Sequence, residues 1–159
     1  MNAMKMKMKS GRFPLWRVLG LAAITGSRTT FGPALAARAS VKRPVLRAIA
    51  TLLAAAELIG DKLPGVPNRT APSNLVPRIA SAAGLALALR PRRRRWRRRP
   101  TVAATVALAA GAAVAAAFAG LPLRRALTRL LGGGRIGNAL AGAVEDAALI
   151  AIGTRVARG

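Results

Sequence analysis

The sequence predicts an all-α integral membrane bundle: about four transmembrane helices preceded by a broken or re-entrant first segment. Two observations point there. The 159 residues are 53% hydrophobic with a positive mean hydropathy of +0.35, yet 27 Lys and Arg against 4 Asp and Glu leave a net charge of +23. A chain disordered by charge is poor in apolar residues, and a soluble basic domain needs a polar surface. Apolar segments separated by basic loops satisfy both numbers.

Residues 1–12 form a basic tail with Lys5, Lys7, Lys9 and Arg12 and no acid. A single membrane domain, 13–156, follows. Its first segment, about 13–39, is interrupted at Gly26-Ser27-Arg28-Thr29-Thr30-Phe31-Gly32-Pro33, where glycine and proline weaken a helix. Ser27, Thr29 and Thr30 are available to satisfy the freed backbone groups, as a membrane interior requires. A cationic start before a short apolar run also describes a signal peptide, with Ala34-Leu35-Ala36 as a cleavage pattern. Pro14 and Arg17 inside the apolar run argue against that reading.

The second segment runs from Pro44, a good first-turn residue, to Lys62, where Pro64-Gly65-Val66-Pro67 stops it. The third, about 77–90, reaches only about 20 Å against a roughly 30 Å hydrocarbon core. It extends backwards through Leu75 or stays a half-helix. A basic loop, 90–100, precedes the fourth segment, 101–121. Leu123 to Leu131, with Arg124, Arg125 and Arg129, suits the membrane interface. Gly132-Gly133-Gly134 reads as a flexible break before the fifth segment, 136–156. These glycines and Gly137 match a dinucleotide fingerprint, but no strand precedes them and no acid follows at the required distance.

Charge counting sets the topology. Five simple crossings divide the basic residues almost evenly. A first segment that enters and returns puts 19 on one side, with both termini, and 7 on the other, leaving Arg28 within the membrane. Both termini are then cytoplasmic, in a multi-pass protein of the inner membrane.

Packing is expected through small residues. Ala103, Ala107, Gly111, Ala115 and Ala119 repeat at four-residue spacing, a face that lets helix backbones approach in lipid. Gly137 with Ala141, and Gly142, offer similar faces.

The acids are Glu57, Asp61, Glu145 and Asp146. Ionisable groups in a membrane cost about 2.5–3.5 kcal/mol each on insertion scales, so they turn inward and find partners. Glu57 and Asp61, four apart on one helix face, repel and need a cation, a proton or an arginine. Arg28 is the best-placed partner. With Lys62, these residues form an expected polar intramembrane centre, and Arg69 and Arg78 are loop charge partners. The bland reading is that the charges only lock the bundle; the sharper one is an ion, proton or polar-solute pathway.

Arg92, Arg93, Arg94, Arg95, Arg97, Arg98 and Arg99 flank Trp96. Dense arginine with an aromatic suits phosphates of nucleic acid. Apolar segments abut both ends of the run, which favours contact with anionic lipid instead. Without His, Cys or Tyr the chain lacks the usual catalytic and metal-ligating groups, so neither enzymatic activity nor a cofactor or metal is expected.

Several stretches together resemble a family. They are Gly26 to Leu35; Glu57-Leu58-Ile59-Gly60-Asp61-Lys62-Leu63-Pro64; Pro67-Asn68-Arg69-Thr70-Ala71-Pro72; Arg78-Ile79-Ala80-Ser81-Ala82-Ala83-Gly84; Gly120 with Arg124 and Arg125; and Glu145-Asp146. The chain from about Leu19 to Ile152 is similar to the small bacterial membrane proteins called domain of unknown function 4126. The arginine run and the basic N-terminus depart from that pattern. The resemblance implies a multi-pass membrane protein and brings no established activity. Three function classes follow: a small transporter or ion-coupled channel, expected to form homo-oligomers because four short helices enclose little volume; a structural or scaffolding membrane protein; and, last, a membrane-tethered nucleic-acid or anionic-lipid binder acting through the arginine run.

Overall fold

A computed structural model describes residues 14–60, 71–89 and 101–158 of the chain. These residues form six α-helices and no strand: α1 (Leu15–Ser27), α2 (Phe31–Ser40), α3 (Pro44–Gly60), α4 (Pro72–Leu89), α5 (Val102–Leu130) and α6 (Gly134–Arg158).

The first segment is a helical hairpin. α1 ends at Arg28, whose backbone is extended, and α2 begins after Thr30. Pro33 is the third residue of α2, where a missing N–H costs nothing because the first turn has no intrahelical acceptor. The hairpin lies along α6. Gly20 faces Val156, Ile24 and Leu35 both face Gly153, and Arg28 reaches Asp146. The chain therefore goes up and comes back. At its start, Arg17 Nη2 donates to the Arg158 carbonyl at 3.4 Å, which places the start of α1 beside the end of α6.

α1 is the centre of the bundle, packed against α2, α4, α5 and α6. Val18, Leu21, Ala22 and Ile24 meet Ala82, Leu85 and Ala86 of α4 and Ala109 and Ala113 of α5. Approach is closest at Gly26, where any Cβ would overlap the Ala113 carbonyl. Gly32 plays the same part within the hairpin, against Thr25 and the Leu21 carbonyl.

The small-residue face of α5 differs from expectation. Thr105, Ala109, Ala113 and Ala117 are buried, whereas Ala103, Ala107, Gly111, Ala115 and Ala119 are exposed. Two residues of offset rotate a helix by about 200°, so the stripe expected to pack faces outward. Alanine lines every face here, so spacing alone does not set the phase; Gly26 of α1 does. In α6, Gly137, Ala141 and Gly142 are buried as expected.

Three boundaries also move. α4 starts at Pro72, five residues before Pro77, and tolerates Pro77 in its interior. α5 continues through Pro122 into the basic segment expected to lie apart, giving 29 residues and about 43 Å. The triple glycine is an ordered turn. Gly132, Gly133 and Gly134 have φ of +93°, +68° and +62°, a region other residues avoid. Gly133 N–H donates to the Thr128 carbonyl at 2.8 Å and Gly132 N–H to the Arg129 carbonyl at 3.3 Å, closing the end of α5 in a Schellman motif.

Among the described residues two helices, α5 and α6, are long and apolar enough to cross a membrane, not four. α3, with 17 residues, is short of a full span, and α4 carries Ser73, Asn74, Pro77 and Arg78 within its 18. Only 17% of the apolar window of α5 and 33% of that of α6 are buried inside the protein, unlike the core helix of a soluble fold. No residue of α3 is buried, and it packs against α2 alone among the described helices.

Gly26→Ala forces α1 off α5 and is expected to destabilise by about 3 kcal/mol. Gly111→Ala, with open space around its Cα, is expected to be neutral or to stabilise by about 0.5 kcal/mol. Unfolding of the detergent-solubilised variants measures both.

Candidate functional site

Breaking a helix leaves carbonyls at one end and amides at the other without partners. At the α1–α2 break these groups are satisfied by charged side chains from distant helices. Arg78 of α4 donates through Nη1 to the carbonyls of Gly26 and Ser27, both at 2.6 Å. Glu57 of α3 accepts the Thr29 N–H at 2.6 Å on Oε1, and the Thr30 N–H at 2.8 Å and hydroxyl at 2.5 Å on Oε2. Ser81 Oγ donates to the Thr29 carbonyl at 2.9 Å. A cation thus sits at the negative end of α1 and an anion at the positive end of α2, each matched to the helix dipole.

Arg28, inside the break, turns the other way. Its Nε and Nη2 approach Asp146 Oδ1 of α6 at 2.9 and 2.8 Å. Both residues are buried, Arg28 to 2% and Asp146 to 8% exposure. Asp146 is twelve residues from either end of α6, so this ion pair lies about 18 Å from each end of that helix. α5 completes the ring through Ala113 against Gly26. All six helices therefore supply a group to residues 26–30, or hold one that does, at mid-depth.

The expected polar centre is thus partly assembled and differently wired. Arg28, Glu57, Asp146 and Arg78 converge on the break. Arg78 is an inner member of the hub, not a loop charge. Glu57 serves backbone amides, whereas an arginine partner was expected. Glu145, adjacent to Asp146 in sequence, leads elsewhere: its Oε2 is 3.7 Å from Arg124 Nη1, and Arg124 Nε donates to Asn138 Oδ1 at 3.1 Å. Successive residues on a helix point about 100° apart, so the two acids serve different neighbours. Asp61, Lys62, Arg69 and the run Arg92 to Arg99 with Trp96 lie outside the described residues.

Sequence reasoning missed Arg124, Asn138 and Ser81. Arg124 belongs to the basic segment expected in the interface; its role follows only once α5 continues through Pro122. Ser81 carried a usable signal, being three residues after Arg78 on the same helical face.

Chemically the hub is a set of matched charges and dipoles. Among the described residues no group of three or more His, Cys, Asp or Glu is placed to hold a metal. Two open depressions lie away from the hub, one of about 490 Å³ beside α2 and α3 and one of about 340 Å³ at the α5–α6 end.

Arg28→Ala strips Asp146 of a buried counter-charge and is expected to cost about 3–5 kcal/mol. Arg28→Ala with Asp146→Ala is expected to cost less than the two single changes added together, because neither charge is then left alone. A double-mutant cycle on unfolding in detergent measures the coupling.

Comparison with protein-family models, with curated proteins and with solved structures finds no match to this chain, so its function is argued from the geometry of the hub.

Proposed function

We propose that the chain is a multi-pass protein of the cytoplasmic membrane, with both termini on the cytoplasmic side, whose buried charges lock a re-entrant helical hairpin into the bundle. It acts as a structural or scaffolding membrane protein and carries out no enzymatic reaction. Its resemblance to domain of unknown function 4126 rests on the same motif residues and is part of this proposal.

The observation that carries the reading is how the hub charges are used. Glu57 caps α2, Arg78 caps α1 and Arg28 pairs with Asp146, so each is engaged by a helix end or by its opposite. The low burial of the apolar windows of α5 and α6 supports lipid around them. The contact between Arg17 and Arg158 supports termini on one side. In this reading α3 and α4 complete the crossings, a shorter stretch being accommodated by local thinning of the bilayer.

A second reading, ion-coupled transport, draws on one feature. Two short helices meet end to end at half-depth, the arrangement in which transporters place their binding sites. Glu57→Gln and Asp146→Asn separate the two. Locking predicts that both variants fall to less than about one-fifth of wild-type abundance in membranes, by immunoblot, a tenfold shift in folding equilibrium corresponding to about 1.4 kcal/mol. Normal abundance with loss of a proton or cation flux in reconstituted vesicles would support transport instead. Cysteine substituted for Asn2 and for Asn68 is expected to label from opposite sides of the membrane; labelling from one side would end the topology.

A further inference from the structure

From the far end of the α5–α6 pair we infer a second site: a binding pocket for a phosphate group, separate from the hub. The depression there has a volume of about 340 Å³ and is lined by Leu121, Arg124, Arg125, Thr128, Arg129 and Asn138. That volume lies at the small end of ligand pockets. Leu121, Arg124, Arg125, Thr128 and Arg129 come to one side of α5 because they are spaced three, four, seven and eight residues apart.

Three arginines around one depression repel each other, and like charges four apart on a helix are destabilising. Of the three, Arg124 has Glu145 at 3.7 Å and donates to Asn138 Oδ1, which together hold its guanidinium in place. Among the described residues no carboxylate forms an ion pair with Arg125 or Arg129. An anion with several acceptor oxygens satisfies this set: planar guanidinium forks match phosphate geometry, and the Asn138 side-chain amide adds N–H donors at the wall, whereas the Thr128 hydroxyl is already given to the Arg124 carbonyl at 2.8 Å. The ordered glycine turn at 132–134 fixes the start of α6, and with it Asn138, relative to α5.

In the proposed topology this end faces away from the cytoplasm, where the positive-inside rule disfavours uncompensated arginines. A phosphate from a lipid headgroup or from solution meets that charge. The pocket's chemistry does not depend on the membrane reading; only the lipid source does.

The test uses the full chain in an uncharged detergent. Binding of inorganic phosphate and of short-chain phosphatidylglycerol is measured by thermophoresis for wild type, for R125Q/R129Q, and for a variant with Arg92 to Arg95 changed to Gln. Saturable binding of at least one probe is expected, weakened at least tenfold in R125Q/R129Q and retained in the variant of the run. Preference for phosphatidylglycerol assigns the pocket to lipid; binding of inorganic phosphate alone assigns it to a free anion and leaves the membrane reading to its own test. R125K/R129K, which keeps the charge, is expected to fall between wild type and the Gln variant. Should R125Q/R129Q misfold, R129Q alone is read, with at least a threefold loss expected. Binding of both probes that is absent in wild type, or unchanged by the Gln substitutions, overturns the inference.

Discussion

A helix that stops within an apolar medium exposes carbonyls and amides that lipid cannot satisfy. Everything in this bundle follows from the place where α1 does stop. Four groups at residues 26–30 need partners: the Gly26 and Ser27 carbonyls and the Thr29 and Thr30 amides. Each finds one on another helix, from Arg78 or Glu57. Those partners are themselves charged, which solves a second difficulty. Arg78, which is buried, and Glu57, which is half-buried, need compensation, and the oriented dipoles of two helix ends supply it. Backbone and charges are each other's solution, and neither is stable inside the bundle alone.

The interhelical geometry then has little freedom. Arg78 must reach α1, so α4 lies beside it; Glu57 must reach the start of α2, so α3 flanks the hairpin. Arg28 ties the break to the middle of α6. α5 contributes no charge to the hub and packs by proximity, the Ala113 carbonyl resting where Gly26 lacks a side chain. Deep burial is consequently centred on α1 and the surfaces that touch it, with Gly137 and Gly142 of α6 buried against the end of α5, while Phe118, Leu140, Val144 and Ile152 point outward from α5 and α6. So small an interior under so much outward apolar surface supports the proposed membrane setting.

The positions of the hub residues were legible in the sequence because sparse charge in apolar surroundings is itself a signal. Arg28 within a Gly- and Pro-bounded break and Glu57 on an apolar helix stand out without any structure. Their connections were not legible. A carboxylate can be satisfied by an arginine or by two amides, and composition does not distinguish the two; Glu57 takes amides because the break presents them in pairs. Nor does it tell Glu145 from Asp146, adjacent acids whose neighbours depend on the rotation of α6. The alanine stripe on α5 shows the same limit in the apolar direction: where nearly every residue is small, the period is visible but the phase is not. Pro77 and Pro122 misplaced two helix ends, because a proline within a helix removes one bond and tertiary packing outweighs that loss.

The wiring also bears on whether the hub is a gate. A gate needs two arrangements of similar free energy that a ligand can distinguish. To open this break, Arg28 must leave Asp146 while Glu57 and Arg78 leave the helix ends, since all act on five consecutive residues. Each departure leaves a charge or a backbone group without its partner in a poorly polar interior, and such losses are of the order of a few kcal/mol apiece. Shifting a two-state equilibrium from one per cent to ninety-nine requires about 5.5 kcal/mol of differential binding. Several simultaneous losses exceed what one small ion supplies unless it replaces the departing partners one for one. A proton delivered to Glu57 would remove only the anion at α2 and leave the Arg28–Asp146 pair and the Arg78 contacts standing. The coupling of three charges to one short segment therefore supports the proposed lock over a gate.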